Sequence, residues 1–562
     1  MPEMMKLHRI TFWVSALLFA SSCTIGEKND SYMTFDDYYR NAQQIKAGLN
    51  ACYPPLRYFY NANFFQMTEC ASDLMFLNSI YRPDANCIIS PASAGVGDSV
   101  WQYCYQGISR ANEMDAAIRR ALENNWITEK EGNAFLSEAA IARGLYYYLL
   151  TCTFGDVPYY TDRVTEKNRK DVETLPRTSA MEIRSRVAQE ICSYVMPADK
   201  GGKAALPFSR TYEAGTEYRF SAALGLMIAG KCHMWNARYD DAISVYSALE
   251  DIYGHYADCP EAFEDDYPLT DIPFGKRYTR ESIWEVPNHS EDYGIQMYGN
   301  LAVYVTPSRS TVEITDDDEM TEADRISDIY NGIRIPELGG NARTVTAARP
   351  TSYVYKNLLK YDSGDLRSGE YNDVTDPAAP RGGSGNLAWR WRGYSPDGAA
   401  DANEEVLWFS TVKSSKLNRP WLGNKFWCFE MNYTHDTNNY PLFRFAGALL
   451  NLAEAYYHQG DDEMACKYLN ITRVRAGLPE VTAAAVPDIL SAIQEECAKE
   501  LFGEFQRKFD LVRWGIWYER CKANTEATYL SSYVQRYHEY YPIPATQVAL
   551  SQGALDNKAY AQ

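Results

Sequence analysis

After its first 22 residues the chain has no apolar run long enough for a bilayer-crossing helix, which needs about 20 residues for a core roughly 30 Å thick. That excludes a protein built of membrane-spanning helices. Histidine is scarce, seven in 562 residues, and no HExxH pair exists to hold a hydrolytic zinc ion. Neither a GxSxG nucleophile elbow nor a phosphate-binding P-loop is present. Acidic residues number 74, yet none sits in a recognisable catalytic motif of the kind glycosidases build from two carboxylates. Positive charge is in deficit, and the net charge of −19 argues against nucleic acid or anionic lipid headgroups as partners. It suits a neutral or cationic ligand. The 13 cysteines include no CxxC spacing. Cys152, Cys232, Cys466 and Cys497 lie within helical apolar patterns, which reads as buried thiols and not a metal site. Any disulfide pairing is beyond what spacing can assign.

Helical periodicity is plentiful at both ends. Leu449, Leu450, Leu452, Ala453 and Tyr456 recur at helical spacing; Gly460 and two acids break the pattern, and Met464, Ala465, Tyr468 and Leu469 restart it. This predicts an antiparallel helix pair with small residues (Ala453, Ala455, Ala465) where the backbones approach, as in tetratricopeptide-like pairs. A second pair starts with Trp101, Tyr105, Ile108, Ile118 and Leu122. It continues to Phe154, where Gly155 supplies a stop and Pro158 forbids continuation. A third covers 220–252, with Ala229 and Ala242 as its small contacts, and a fourth spans Val486 to Tyr518. Arg507 and Asp510, three apart, suit an intrahelical ion pair. The charged residues Arg444, Glu454, Arg473, Arg475, Glu500, Arg507, Asp510 and Arg513, embedded among apolar positions, read as interhelix bridges.

The order of residues in these segments resembles the SusD/RagB family of Bacteroidetes surface lipoproteins. The resemblance rests on Arg444, Phe445 and Ala446; on Leu450, Asn451, Ala453, Glu454 and Ala455; and on Leu469, Asn470, Arg473, Arg475, Ala476, Gly477, Leu478 and Pro479. It continues through Glu496, Glu500, Leu501, Glu504, Arg507, Asp510, Leu511, Arg513, Trp514 and Gly515, with departures at Gly447, Cys497 and Gly503 to Phe505. Trp101, Tyr105, Ile108, Ala111 and Asn112, with Phe154 to Pro158, match its N-terminal half. The resemblance implies a mostly α, SusD-like fold: four tetratricopeptide-like helix pairs forming a scaffold, with a large irregular α+β loop-rich insertion. It also implies a non-catalytic binding protein acting as the lid of a SusC-like TonB-dependent transporter, with an oligo- or polysaccharide as ligand. RagB-like relatives present peptides, which is the first alternative. A helical-repeat scaffold with no small ligand is the second, and an enzyme is the main rival class.

The amino terminus bears on location. Lys6 and Arg9 precede an eleven-residue apolar run, Ile10 to Ala20, followed by Ser21, Ser22 and Cys23. At ~1.5 Å per residue that run is too short to span, so it reads as a signal peptide. Small residues before a cysteine make Cys23 the expected lipidated first residue, with plain secretory cleavage as the alternative. The charged stretch Glu27 to Asp30 resembles the export signal of surface lipoproteins, which places the protein on the outer membrane by an N-terminal lipid anchor. The expected organisation is a leader over 1–22, a lipidated tether over 23–35, an N-terminal helical region over 36–255, an irregular ligand-binding region over 256–439 and a C-terminal helical region over 440–562.

Between 256 and 439 helical periodicity fails, and Gly, Pro, Asp and Ser clusters interrupt short aromatic runs. A structureless loop of that length does not fit a compact domain. Glu281 to Asn288 and Val406 to Lys413 therefore read as strands. Aromatics are 14% of the chain, and this region holds Trp284, Tyr293, Tyr298, Tyr304, Trp389, Trp391, Tyr394, Trp408, Trp421 and Trp427. Sugar rings present C–H faces that stack on indole and phenol rings, and a rigid ring costs little entropy to order. Core packing is the commoner fate of any one aromatic, so loop positions carry the expectation. By the family resemblance these are Tyr293 and Tyr298 beside glycines, and Tyr81 and Arg82 in the loop before Trp101. No cofactor is required. The run Asp316, Asp317, Asp318 and Glu319 could hold Ca²⁺ through oxygen ligands, although such runs are usually solvated loops.

Overall fold

The computed structural model describes residues 35, 37–211, 213, 215–271, 277–288, 299–305, 313–315, 347–359, 363–368, 408–410, 412–414, 417–419, 424–426, 431–432, 435–436 and 438–561. Helix α1 (Ala42–Leu49) is short, and its N-cap Asn41 side chain accepts from Gln44 N–H. Helix α2 (Val96–Glu123) runs 28 residues. Its first free amide, Val96 N–H, donates to the Asp84 carboxylate at 2.8 Å, a cap supplied from outside the helix. Helix α3 (Glu129–Phe154) opens on a Thr128/Glu131 capping box. It ends at Gly155 with φ +71° and ψ −122°, a region closed to residues bearing a Cβ. Helices α2 and α3 pack tightly enough that a Cβ at Gly107 would lie 2.2 Å from the Tyr146 ring.

Helices α4 (Ala180–Val195), α5 (Ala222–Trp235), α6 (Tyr239–Tyr253), α7 (Phe445–His458), α8 (Asp462–Arg475) and α9 (Ile489–Glu500) extend the stack. Each packs on its predecessor from α2 to α9. The crossing from α6 to α7 brings together helices separated by the whole irregular region. The expected pairs over 100–154, 220–252 and 440–475 are present, and Ala229, Ala242, Ala453, Ala455 and Ala465 are all fully buried. The expected fourth pair over Val486 to Tyr518 is different. There α9 lies on α7 and α8, while α10 (Arg507–Arg513) packs on the wide turn Gln66–Cys70 and on α11 (Trp517–Ala523). Gly503 and Phe505, both at positive φ (+77° and +62°), break the chain between α9 and α10. Helix α4, between α3 and α5, completes the mostly α scaffold. Among the described residues no helix is long and apolar enough to cross a membrane.

The strand expected over Glu281–Asn288 forms as β1 (Ser282–Val286), and it pairs antiparallel with β2 (Tyr440–Arg444). Both are buried on both faces, and their polar members are bonded inside, Glu285 to Asn439 Nδ2 and Arg444 to Glu504. The stretch Val406–Lys413 contributes to two small strands, Trp408–Ser410 and Val412–Ser414. Trp284 in β1 is core, 2% exposed.

Charge rivets the C-terminal helices to β1 and to the irregular region. Arg444 binds both Glu504 oxygens at 2.9 Å and Glu281 at 2.8 Å; Arg475 reaches Glu281 at 2.9 Å and Glu500 at 2.5 Å. From the irregular region, Arg367 bonds Glu496 at 2.7 Å and Glu500 at 2.8 Å. Burial alone would raise the Glu500 carboxyl, but Arg475, Arg444 and Arg367 outweigh it and hold it well below the usual range. The bridging role expected of Arg444, Arg475, Glu500, Glu454 and Arg513 is therefore present, Arg513 gripping Glu454 across α10 and α7. Two expectations fail. Arg507 does not pair with Asp510; it holds Asp73 through two bonds of 2.8 Å, and Asp510 faces Lys231 and Arg513. Arg473 bonds the Pro479 carbonyl, closing a loop instead of bridging helices.

Near the N-terminus, Phe35 lies beneath two guanidinium groups, Arg163 at 3.5 Å and Arg120 at 5.1 Å from the ring centre. Arg120 also donates to the Phe35 carbonyl at 3.0 Å.

Candidate functional site

Of the site residues expected from sequence, the structure describes Tyr81 and Arg82. Cys23, Tyr293, Tyr298 and the acidic run Asp316–Glu319 lie outside the described residues. Tyr81 is 85% exposed and Ile80 beside it 52%, an unusual display for an aromatic and a branched apolar side chain. The loop carrying them is not slack. One buried amide, Asn86 Nδ2, donates to the carbonyls of Leu77, Ser79 and Arg82 at 3.0, 2.9 and 2.9 Å, and Arg82 N–H closes back on the Ser79 carbonyl at 3.0 Å. Pro83 starts the turn that follows, where its missing N–H costs nothing. Arg82 stacks its guanidinium 4.7 Å over the Tyr304 ring. Tyr304 is anchored in turn, since its carbonyl accepts Ala347 and Ala348 N–H at 2.8 and 3.0 Å. The structure thus joins Tyr81 and Arg82 to an aromatic of the irregular region.

On one flank of this loop the short helix Thr528–Tyr533 packs against Pro83–Asn86. It offers Tyr529 and Tyr533 with parallel rings 6.4 Å apart, Tyr533 exposed. Beside it, Asn78 Nδ2 bonds the Glu526 carbonyl at 2.6 Å. Glu526 lies on the wall of a cavity of about 210 Å³, with Asp73, Ser352, Tyr353, Arg520 and Asn524 among its lining. Asn78 and Tyr81 are three positions apart, so their Cα atoms lie within about 11 Å of each other. Strand pairing builds the cavity: Met75–Phe76 pairs with Arg349–Pro350, and Thr351 N–H donates to the Leu74 carbonyl at 2.9 Å. That brings Tyr353 opposite α11, from which Arg520 projects. Burial pushes the Tyr353 hydroxyl up, keeping it a donor at neutral pH.

A larger cavity, about 540 Å³, opens between α2, α3 and α4. Its three arginines are already paired: Arg119 with Asp115 at 2.6 Å, Arg143 with Glu190, and Arg186 with the neighbouring Glu182 at 2.5 Å. The Tyr81 surface, with rings turned outward, is the better candidate. Sequence reading did not find Arg520, Glu526 or Tyr353. The first two lie just past the family motif ending at Gly515, in a stretch dense with ordinary helix formers. Tyr353 stands in a segment with no helical or strand period.

Stacked helix pairs joined by a buried two-stranded ladder, with an aromatic loop at one end, define a ligand-binding scaffold. The chain belongs to the SusD/RagB family. Residues 281–560 match the model described as the SusD family, and residues 25–221 the one described as "Starch-binding associating with outer membrane". It is similar to SusD-like protein P25 of Formosa agariphila, 21% identical with 99% of each chain covered. Among solved structures, a SusD homolog from Bacteroides thetaiotaomicron shares the fold at TM-score 0.65 and 18% identity, covering 92% of this chain and 97% of that one. Surface glycan-binding protein A of the same organism, solved in complex with laminarihexaose, does so at TM-score 0.56 and 18% identity, covering 92% and 98%.

Proposed function

We propose that the protein is a non-catalytic, cell-surface lipoprotein that captures oligo- or polysaccharide and serves as the lid of a SusC-like TonB-dependent transporter. One observation carries the reading: Tyr81 is held almost wholly in solvent by a loop that a single buried amide keeps rigid, beside a polar cavity. A pre-ordered exposed ring supplies stacking area with little entropy left to lose. Glycan binding by a relative of the same fold supports it. Absence of catalysis fits the carboxylates at the site. Both Asp73 oxygens are engaged by Arg507 and Glu526 accepts Ser352 N–H, whereas hydrolysis needs two working carboxylates. The Cys23 lipid and the outer-membrane location rest on the leader pattern, and the transporter on the family. Tethering raises the effective concentration at the transporter mouth, so modest affinity is enough. Affinity electrophoresis of the mature protein against a polysaccharide panel tests the reading: retardation by at least one glycan, lost in Tyr81→Ala, is expected. Retardation by none, with peptides bound instead, would replace it with the peptide-presenting alternative.

A further inference from the structure

A second pair of rings stands apart from the Tyr81 loop. Tyr58 follows the short helix Pro54–Arg57 and is 55% exposed. Its ring stacks on Tyr103 of α2, with centres 4.6 Å apart and planes 24° from parallel. Its backbone is held on both sides, Tyr58 N–H donating to the Pro55 carbonyl at 3.3 Å and the Tyr58 carbonyl accepting Asn61 Nδ2 at 3.3 Å. Exposed amides flank the pair in sequence, Asn63 after Tyr58, and Gln102 and Gln106 on either side of Tyr103. Among the described residues Arg57, next to Tyr58, gives one hydrogen bond, from Nη2 to Asn288 Oδ1 at 3.2 Å, and pairs with no carboxylate. Its Nε is buried without an acceptor. A partly desolvated guanidinium with no counter-charge is unfavourable, and an oxygen brought by a ligand relieves it.

We propose that the outward face of Tyr58 is a second sugar-stacking platform, taking one ring of a polysaccharide that also rests on Tyr81, with Arg57 donating to an oxygen of that ring. The proposal rests on the glycan-binding reading and adds a second point of contact, so that chain length governs affinity along with sugar chemistry. A single ring rimmed by amides matches a pyranose, whose C–H face stacks and whose hydroxyls both donate and accept. A protein partner would call for a broader apolar surface. Both platforms lie toward the same end of α2. Asp84, just after the Tyr81–Arg82 loop, caps Val96, and Tyr103 stands seven residues, about 10 Å, further along the helix. Holding one strand at two points makes the second contact intramolecular, which raises avidity without tightening either contact alone.

The test uses the mature protein in gels carrying laminarin, starch, mannan, xylan or pectin, followed by calorimetry with the trisaccharide of whichever polymer retards it. Tyr58→Ala, shown to be folded by its melting curve, is expected to weaken retardation about threefold or more while trisaccharide affinity stays at the parent's value. Tyr81→Ala should weaken both. Arg57→Met should weaken polymer retardation in the same direction as Tyr58→Ala, and Tyr58→Phe, which keeps the ring, should bind as the parent does. Polymer binding unchanged in folded Tyr58→Ala would overturn the proposal, and retardation still lost in Tyr81→Ala would leave the glycan reading standing. Equal losses of polymer and trisaccharide in Tyr58→Ala would overturn it too, by placing Tyr58 inside the Tyr81 site. Retardation by no polymer would remove the reading and this platform with it.

Discussion

Tyr81 and Glu69 show how far single side chains differ in placement, one in solvent and one in the core. Tyr81 touches almost nothing, so Tyr81→Ala should leave thermal stability within about 0.5 kcal/mol of the parent. Glycan affinity should fall roughly tenfold, the loss typical of an exposed aromatic anchor. Calorimetry and a melting curve on the same variant check both halves. Glu69 is the converse case, fully buried in the turn Gln66–Cys70. Burial raises its carboxyl to about 7, with the Arg507 amide opposing. A carboxyl raised in the fold binds its proton more tightly folded than unfolded, so its contribution to stability falls as pH rises from about 4.5 to about 7 and is flat above. Glu69→Gln keeps an oxygen for the Arg507 amide and does not ionise. Its melting temperature relative to the parent should therefore climb between pH 5 and pH 8. A pH-independent difference would contradict the assignment. Tyr81 was singled out in the sequence because a family pattern marked its loop. Glu69 was not, since nothing in QMTEC tells a buried carboxylate from a surface one.

At the scale of elements, close helix approach decides the packing. Gly107 admits the Tyr146 ring against α2, and Tyr146 in turn donates to the Cys52 carbonyl at 2.6 Å. Gly107→Ala should destabilise by about 1–3 kcal/mol through overpacking, seen in denaturant midpoints, with glycan affinity of the folded fraction unchanged. The helices around such contacts were mostly readable from period and punctuation. Helix α4 was passed over, although Ser179 caps the Glu182 amide at 3.2 Å and Ile183, Val187, Ile191 and Tyr194 form its buried stripe. Its neighbours on both sides are charged, Pro- and Gly-bearing stretches that masked its ends. The pairing of Arg507 was unreadable for another reason. Its partner Asp73 is 434 residues away in sequence, and local spacing pointed to Asp510 instead.

For the molecule as a whole, the Arg444–Arg475–Arg367 cluster ties the C-terminal helices to β1 and to the irregular region. Glu500 is the carboxylate all three arginines share, so Glu500→Ala leaves three buried cations short of one counter-charge and should cost about 3–5 kcal/mol. The measurable result is poor recovery of folded protein and early proteolysis. Cys23→Ala tests the opposite end of the chain. It should abolish labelling with palmitate and move the protein out of the membrane fraction, while purified variant and parent bind the same glycan equally. Membrane retention of the variant would refute the lipid tether. Lost periodicity set the expected limits of the irregular region, but the β1–β2 ladder was only half visible. Tyr440–Arg444 reads as the approach to a helix until its partner strand is known.

Helix α2 carries a consequence for reach. Asp84 caps its first residue, two positions past the Tyr81–Arg82 loop, and Arg120 clamps Phe35 near its other end. Twenty-four residues of α-helix make that separation about 36 Å. Phe35 and the Tyr81–Arg82 loop therefore lie at opposite ends of α2, so on the proposed function a bulky polymer held at the rings stays clear of an N-terminal tether.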